Sequence, residues 1–298
     1  MTALLARIAR LHIVAIGALG TLTFSWALCG VRDGPLALLS ACDWFVVNLL
    51  NRVVDVVEDR RNGVVGADVV ARHARRTAVV AVAVLLLSLL YSALLAPQTL
   101  VVRLAFHALG FAYNWRLLPR FVDGAWRRVR IKELAFWKNT ASALGFLLTC
   151  FALPLSRHAL VVDVAVVVAT AAFFLLFELA YEVLYDLRDV EGDQLAGIKT
   201  WPVLFGPVAA ARIAVAQMGA AVVVVVVAFV VGVLPWSLAI MGVAPLLQLL
   251  VVGPALPTAT RPGRVTSSLC IGVTRLGSAL LVAWHLWELL GLPGSSGR

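Results

Sequence analysis

The sequence predicts an all-α, polytopic membrane protein: about nine transmembrane helices in one bundle around a central cavity. Three observations carry this expectation. Hydrophobic residues make up 62% of the 298 residues and charged residues only 14%, more apolar surface than a water-soluble domain of this length requires. The apolar residues gather in long runs separated by charged loops, the pattern of helices that cross a bilayer. The basic residues fall almost wholly into alternate loops.

The runs place spans at about 11–29, 36–57, 77–95, 99–114, 134–155, 160–185, 207–233, 236–256 and 268–290. Arg7 and Arg10 precede the first run, but no small-x-small cleavage signature follows it, so it is read as a span and not as a leader. The fourth run is short for a crossing helix. Loops after the even-numbered runs hold Arg60, Arg61, Arg72, Arg75 and Arg76, then Arg116, Arg120, Arg127, Arg128, Arg130 and Lys132, then Arg188 and Lys199, then Arg261 and Arg264. The alternate loops hold only Arg32 and Arg157. This asymmetry predicts a cytoplasmic N-terminus, and we expect a bacterial plasma membrane.

The net charge of +9 is accounted for by basic loops beside anionic lipid. No nucleic-acid partner is expected, since no nucleic-acid module is visible. Cys29, Cys42, Cys150 and Cys270 are scattered through apolar runs without CxxC spacing, so they are read as packing residues. The chain is expected to be one domain over 1–298, made of two pseudo-repeated halves, about 1–130 and 131–260, and a last helix at 268–290. Each half carries an acidic motif at the end of its second span.

Those motifs organise the functional reading. The first is Asn51-Arg-Val-Val-Asp55-Val-Val-Glu58-Asp59, and the second runs from Glu182 through Asp186, Asp189 and Glu191 to Asp193. Together they hold eight of the sixteen acidic residues. A helix advances about 100° per residue, so Asn51, Asp55 and Asp59 share one face. Glu182, Asp186, Asp189 and Asp193 fall within roughly 40° of one line. Glu58 and Glu191 point off these faces. Carboxylates stacked in this way beside a bilayer repel one another and need a compensating partner. A hard divalent cation that also holds phosphate oxygens supplies one, and Mg²⁺ is commonly held by one or two carboxylates, water and substrate phosphates.

At this point the chain resembles the UbiA superfamily of intramembrane prenyltransferases. The superfamily's first motif is matched by Asn51, Asp55 and Asp59, with Arg52 where Asp is usual. Its second is matched by Glu182, Asp189 and Asp193, followed by Gly197-Ile-Lys199-Thr200-Trp-Pro202-Val-Leu-Phe-Gly206, with Asp186 as an additional acid. A third similar segment runs from Tyr113-Asn-Trp-Arg116 to Lys132 and on to Lys138-Asn139.

The resemblance implies a nine-helix bundle whose motifs bind Mg²⁺ and an isoprenoid diphosphate. It assigns Asp55, Asp59, Asp189 and Asp193 to the metal, with Asn51 and Glu182 beside them. It assigns Arg52, Tyr113, Arg116, Lys132, Lys138, Asn139, Arg188 and Lys199 to the diphosphate. Bound metal and basic residues would stabilise the leaving diphosphate. Tyr113, Trp115, Trp137, Tyr181 and Tyr185 are candidates to shield the allylic cation. Glu182 or Asp186 is a candidate to take the proton of a lipophilic acceptor, an aromatic one being the first expectation. Partners beyond these substrates are membrane lipids, and no oligomeric state is read. Two alternatives stay open: a membrane terpene cyclase using the same motifs, and a transporter using the acids as an ion path. Arg275, His285 and Glu288 in the last run are unassigned. Asp43 and Asn48 are candidates for the acceptor side of the cavity, and His107 for a structural role.

Overall fold

Each long apolar run becomes a helix because a backbone inside a bilayer must satisfy its own hydrogen bonds. The computed structural model describes residues 2–122, 124–260, 263 and 265–296. Arg261 and Arg264, which enter the charge count of the last loop, lie outside the described residues.

Helix α1 (Thr2–Ile8) leads into α2 (Leu11–Cys29). Gly30, at φ 70°, ends α2 by turning its N–H back to Trp26 O. Asp33 then starts α3 (Gly34–Val54) by accepting from Leu36 N, with a proline in the first turn. Short helices α4 (Val56–Arg61) and α5 (Ala67–Arg72) precede α6 (Ala74–Leu95) and α7 (Leu100–Asn114). Strands β1 (Leu118–Val122) and β2 (Ala125–Val129) pair antiparallel, with Arg120 opposite Arg127 and Phe121 opposite Trp126. Helix α8 (Trp137–Leu147) continues through a π-helical turn, Leu148–Ala152, into α9 (Leu153–Arg157). Helix α10 (Val164–Leu195) runs unbroken for 32 residues. It is followed by α11 (Trp201–Phe205), α12 (Pro207–Val230), α13 (Trp236–Ala239), α14 (Val243–Val252) and α15 (Ser267–Leu289).

Three expectations change. Among the described residues, eight helices are long and apolar enough to cross a membrane, not nine. The predicted fourth span is α7, whose 15 residues rise about 22 Å, short of the ~30 Å hydrocarbon core. The all-α class acquires one hairpin, built from an arginine-rich loop with no alternating apolar pattern to announce it. The second span is also not one helix through both its aspartates. It breaks at Asp55 (φ −95°, ψ 19°), the joint between α3 and α4. Asp55 N still donates to Asn51 O and Asp59 N to Asp55 O, so the three side chains keep their order around the joint.

The outer faces carry exposed aliphatic side chains such as Leu87, Leu94, Val101, Val230 and Leu250, as a lipid-facing surface requires. Inside, α2 lies close against α3 because Gly17 leaves room for an indole. A Cβ on Gly17 would stand 2.4 Å from the Trp44 ring. Trp44 stacks on Phe146 at 4.1 Å, meets Phe106 edge-on at 5.2 Å and donates its Nε1–H to Thr149 Oγ1. This cluster joins α2, α3, α7 and α8.

A second interior contact is ionic. Arg103 on α7 and Asp43 on α3 are both fully buried. Arg103 Nε lies 3.1 and 3.0 Å from the two Asp43 carboxylate oxygens. Its Nη1 donates to Ser88 O at 2.6 Å and Ser92 Oγ at 2.7 Å, and its Nη2 to Ser88 Oγ at 2.8 Å. His107 Nε2 lies 2.9 Å from Asp43 Oδ1. The cluster pins α3, α6 and α7 together, so Asp43 does not line the cavity as expected. Removing one partner of a buried ion pair leaves the other charge uncompensated. Arg103→Leu is therefore expected to lower stability by about 3–5 kcal/mol. Thermal unfolding in detergent, compared with the double variant Asp43→Asn/Arg103→Leu, checks this: the double variant should recover part of the loss.

Candidate active site

The two acidic motifs converge because α4 packs on the end of α10. Gly192 N donates to Asn62 Oδ1 at 2.9 Å, and a Cβ on Gly192 would stand 2.2 Å from that same oxygen. The glycine thus admits the side chain that ties the motifs together. Asn51, Asp55, Glu58 and Asp59 from the first motif and Glu182, Asp186, Asp189 and Asp193 from the second line one cavity of about 570 Å³.

Every motif carboxylate in this cavity is answered by a neighbouring group. Arg52, nearly fully buried, donates from Nη1 to Asp59 Oδ2 at 2.6 Å and from Nη2 to Val65 O at 2.6 Å. Arg10 Nη2 lies 3.7 Å from Asp59 Oδ1. Lys132 Nζ donates to Asp55 Oδ1 and, at 2.9 Å, to Glu58 Oε2. Arg130 reaches Asp55 at 3.7 Å and Glu58 at 3.5 Å. Lys138 Nζ bridges Asp186 Oδ1 at 2.9 Å and Asp193 Oδ2 at 2.7 Å. Arg188 forks onto both oxygens of Asp189, its Nε donating to Oδ1 at 2.7 Å. Glu182 accepts from Ser142 Oγ at 2.7 Å.

Electrostatics follows this pairing. Burial pushes the Asp55 carboxyl up to about 6, and Lys132 beside it offsets only part of that. For Glu58, burial acts in the same direction, but Lys132 and Arg130 outweigh it and hold the group below the ordinary carboxylate range. At Glu133, burial is outweighed by Arg130, which donates from its backbone N–H and its guanidinium.

The sequence-predicted residues separate into three groups. Asn51, Asp55, Asp59, Tyr113, Lys132, Lys138, Glu182, Asp186, Arg188, Asp189 and Asp193 line the cavity. Arg52 and Asn139 are buried beside it, and neither amide atom of Asn139 has a hydrogen-bond partner. Arg116 and Lys199 are exposed; Arg116 is 3.3 Å from Glu133 Oε1 and does not face the cavity. Among the aromatic candidates, Tyr113, Tyr181 and Tyr185 line the cavity or the chamber beneath it, whereas Trp115 and Trp137 are exposed.

Sequence reasoning also missed some residues. Glu58, expected to point away, lines the cavity because the break at Asp55 turns α4 inward. Arg10 lines it too, although its charge reads only as a topology signal. His285 meets Thr23 Oγ1 at 3.0 Å, and Glu288 accepts from Ser296 N, so both have structural partners. Arg103 went unnoticed, although an arginine within an apolar run is itself a signal.

Below the acidic cavity lies a chamber of about 840 Å³, walled by α2, α3, α7, α8 and α10. Asn51, Tyr113, Glu182 and Tyr185 line both spaces. The site is therefore a charged mouth over an apolar room. Among the described residues, no group of three or more His, Cys, Asp or Glu is arranged to hold a metal ion unaided. The donor set nevertheless fits a hard cation shared with a ligand. Its oxygens are carboxylate and amide, and Asp186 Oδ2 and Asn51 Oδ1 are buried without a hydrogen-bond partner.

Removing the lysine that bridges Asp186 and Asp193 separates the two functions of the pair. Lys138→Met is expected to tighten Mg²⁺ binding by the protein alone, since two carboxylates lose their internal cation. It is also expected to raise the KM for a diphosphate substrate several-fold. Titration calorimetry and steady-state kinetics read the two effects; an unchanged KM returns Lys138 to a purely structural role.

Solved structures share this fold. A UbiA homolog from Archaeoglobus fulgidus bound to GPP and Mg²⁺ matches with a TM-score of 0.71 at 17% identity, covering 94% of this chain and 97% of that one. The same homolog bound to DMAPP and Mg²⁺ gives 0.70 at 17% identity, with the same coverage. A structure described as digeranylgeranylglyceryl phosphate synthase in membranes gives 0.58 at 15% identity, covering 96% and 97%. No curated protein matches the chain. The profile of the UbiA prenyltransferase family matches residues 19–256, which spans both acidic motifs and the cavity between them, and the chain belongs to that family.

Proposed function

We propose that the protein is a Mg²⁺-dependent membrane prenyltransferase that moves a prenyl group from an isoprenoid diphosphate to a lipophilic acceptor. The observation that carries this reading is the junction of two acidic motifs over an apolar chamber. That junction suits a ligand with a highly charged head and a hydrocarbon tail. Family membership and the neighbours bound to GPP or DMAPP with Mg²⁺ support the same chemistry.

Asp55, Asp59, Asp189 and Asp193 would hold Mg²⁺, with Asn51 and Asp186 supplying further oxygens. When bound, the metal neutralises charge growing on the diphosphate as the C1–O bond breaks. Arg52, Lys132, Lys138 and Arg188 are paired with carboxylates in this structure. A diphosphate and its cations entering the cavity let these basic groups exchange a carboxylate oxygen for a phosphate oxygen. The internal pairing thus offsets most of the carboxylate charge before substrate arrives and supplies donors afterwards. Tyr113, Tyr181 and Tyr185 present rings to the space beneath, where an allylic cation needs π faces and protection from water. Glu182, held by Ser142, is placed at the boundary between mouth and chamber to take the acceptor's proton. The asymmetry of the basic loops supports a mouth that faces the cytoplasm, and our reading is that the membrane is a bacterial plasma membrane.

The test uses purified protein in nanodiscs with Mg²⁺, C10, C15 and C20 allylic diphosphates and a mixed pool of phenols and lipid alcohols, followed by mass spectrometry. An acceptor that gains a prenyl mass supports the reading; diphosphate release with only cyclic or hydrolysed isoprenoid replaces it with a cyclase. Asp55→Ala and Asp189→Ala should each reduce turnover by at least about a hundred-fold while the protein stays inserted. Chelation with EDTA should do the same, and re-addition of Mg²⁺ should restore the rate.

A further inference from the structure

One carboxyl of α10 stands apart from the others. Glu178 lies one turn before Glu182 and two turns before Asp186, about 6 and 12 Å along the helix axis. It is only 3% exposed, and its Oε2 is buried without any hydrogen-bond partner. Glu191 is exposed to solvent, and the other acids of α10 are all answered: Glu182 by Ser142, Asp186 and Asp193 by Lys138, and Asp189 by Arg188. Among the described residues Glu178 has no hydrogen bond and no ion pair.

Glu178 faces a separate chamber of about 1,090 Å³. Its walls are hydrocarbon and aromatic, including Phe24, Phe173, Phe177, Trp284 and Trp287. Phe173 and Phe177 lie nearly parallel, 6° apart in plane, with centroids at 6.1 Å. Ile16 and Phe146 line both this chamber and the one beneath the acidic mouth, so the two rooms adjoin.

An unpartnered buried carboxyl is costly, and a hydrocarbon ligand would leave it so. A ligand that brings an O–H group satisfies it while its apolar body covers the rings. We propose that this chamber binds a lipophilic ligand through its hydroxyl group, with the O–H donated to the Glu178 carboxyl. The inference rests on the prenyl-transfer reading, because such a hydroxyl has two sources there. It belongs either to a phenol or alcohol acceptor, or to an oxygenated isoprenoid chain carried by the donor.

The experiment titrates wild-type protein in nanodiscs with 4-nonylphenol and with its methyl ether, subtracting partition into empty nanodiscs. A second arm compares KM for geranyl diphosphate and 8-hydroxygeranyl diphosphate. A site built to hydrogen-bond a hydroxyl rejects the analogue that lacks it, so we expect a preference of about ten-fold or more in one arm. Preference in the first arm assigns the hydroxyl to the acceptor, and preference in the second assigns it to the donor chain. Glu178→Leu should reduce that preference to below about three-fold, and Glu178→Gln, which can still accept the bond, should give an intermediate value. Equal affinities in both arms for the wild-type protein overturn the proposal, even if Glu178→Leu does not fold. A preference that persists unchanged in Glu178→Leu and Glu178→Gln overturns it as well. Mg²⁺-dependent consumption of geranyl diphosphate, followed in the same wild-type samples, separates failure of this proposal from failure of the prenyl-transfer reading.

Discussion

A carboxylate removed from water needs a counter-charge, and the polar interior of this bundle is arranged around that constraint. Asp59 has Arg52, Asp55 and Glu58 share Lys132, Asp186 and Asp193 share Lys138, and Asp189 has Arg188. Far from the mouth, Asp43 has Arg103. Each of these pairs except Arg188–Asp189 joins side chains from different elements. They therefore act as cross-ties as well as neutralising groups. The same constraint gives the unpartnered Glu178 its interest, because it breaks the rule that the cavity-lining acids of α10 obey.

Helix α10 is the spine on which the polar and apolar parts meet. Its first half packs phenylalanines into the bundle, and its last four turns carry the acids of the second motif. Being unbroken for 32 residues, it carries the apolar stripe and the charged stripe on one rigid element. The first motif is built differently. The break at Asp55 lets α4 turn, which brings Glu58 to the cavity and Asn62 to Gly192. One motif is thus rigid and the other jointed, and the acidic mouth lies between them.

Much of the site was legible from spacing. The residues at 55, 59, 189 and 193 do share one cavity, because helical periodicity sets which side chains lie together on a face. Lys132 and Lys138 also arrive there, although nothing in a loop's sequence says which carboxylate a lysine will meet. Arg116 and Lys199, equally basic and equally close in sequence, face outward. That distinction depends on the hairpin β1–β2 and on the turn after Gly197, neither of which has a periodic signature. The predicted fourth span falls short of a crossing length for a similar reason: α7 is apolar, but its length is set by where it meets Pro97–Thr99 at one end and Trp115 at the other.

The sequence by itself determined that this is a helical membrane protein with two acidic faces and a polarised distribution of arginine. Those properties depend on local composition and on the period of one helix, which any stretch of chain displays without its neighbours. The tertiary structure decided which cation neutralises which acid, that Asp43 holds helices together and does not line the cavity, and that an aromatic chamber lies beside Glu178. These depend on a contact between residues as distant as Asp55 and Lys132, and on residues as distant as Phe24 and Trp284 lining one chamber. Such contacts are set by how helices pack, through a glycine that admits an indole or a break that turns a helix.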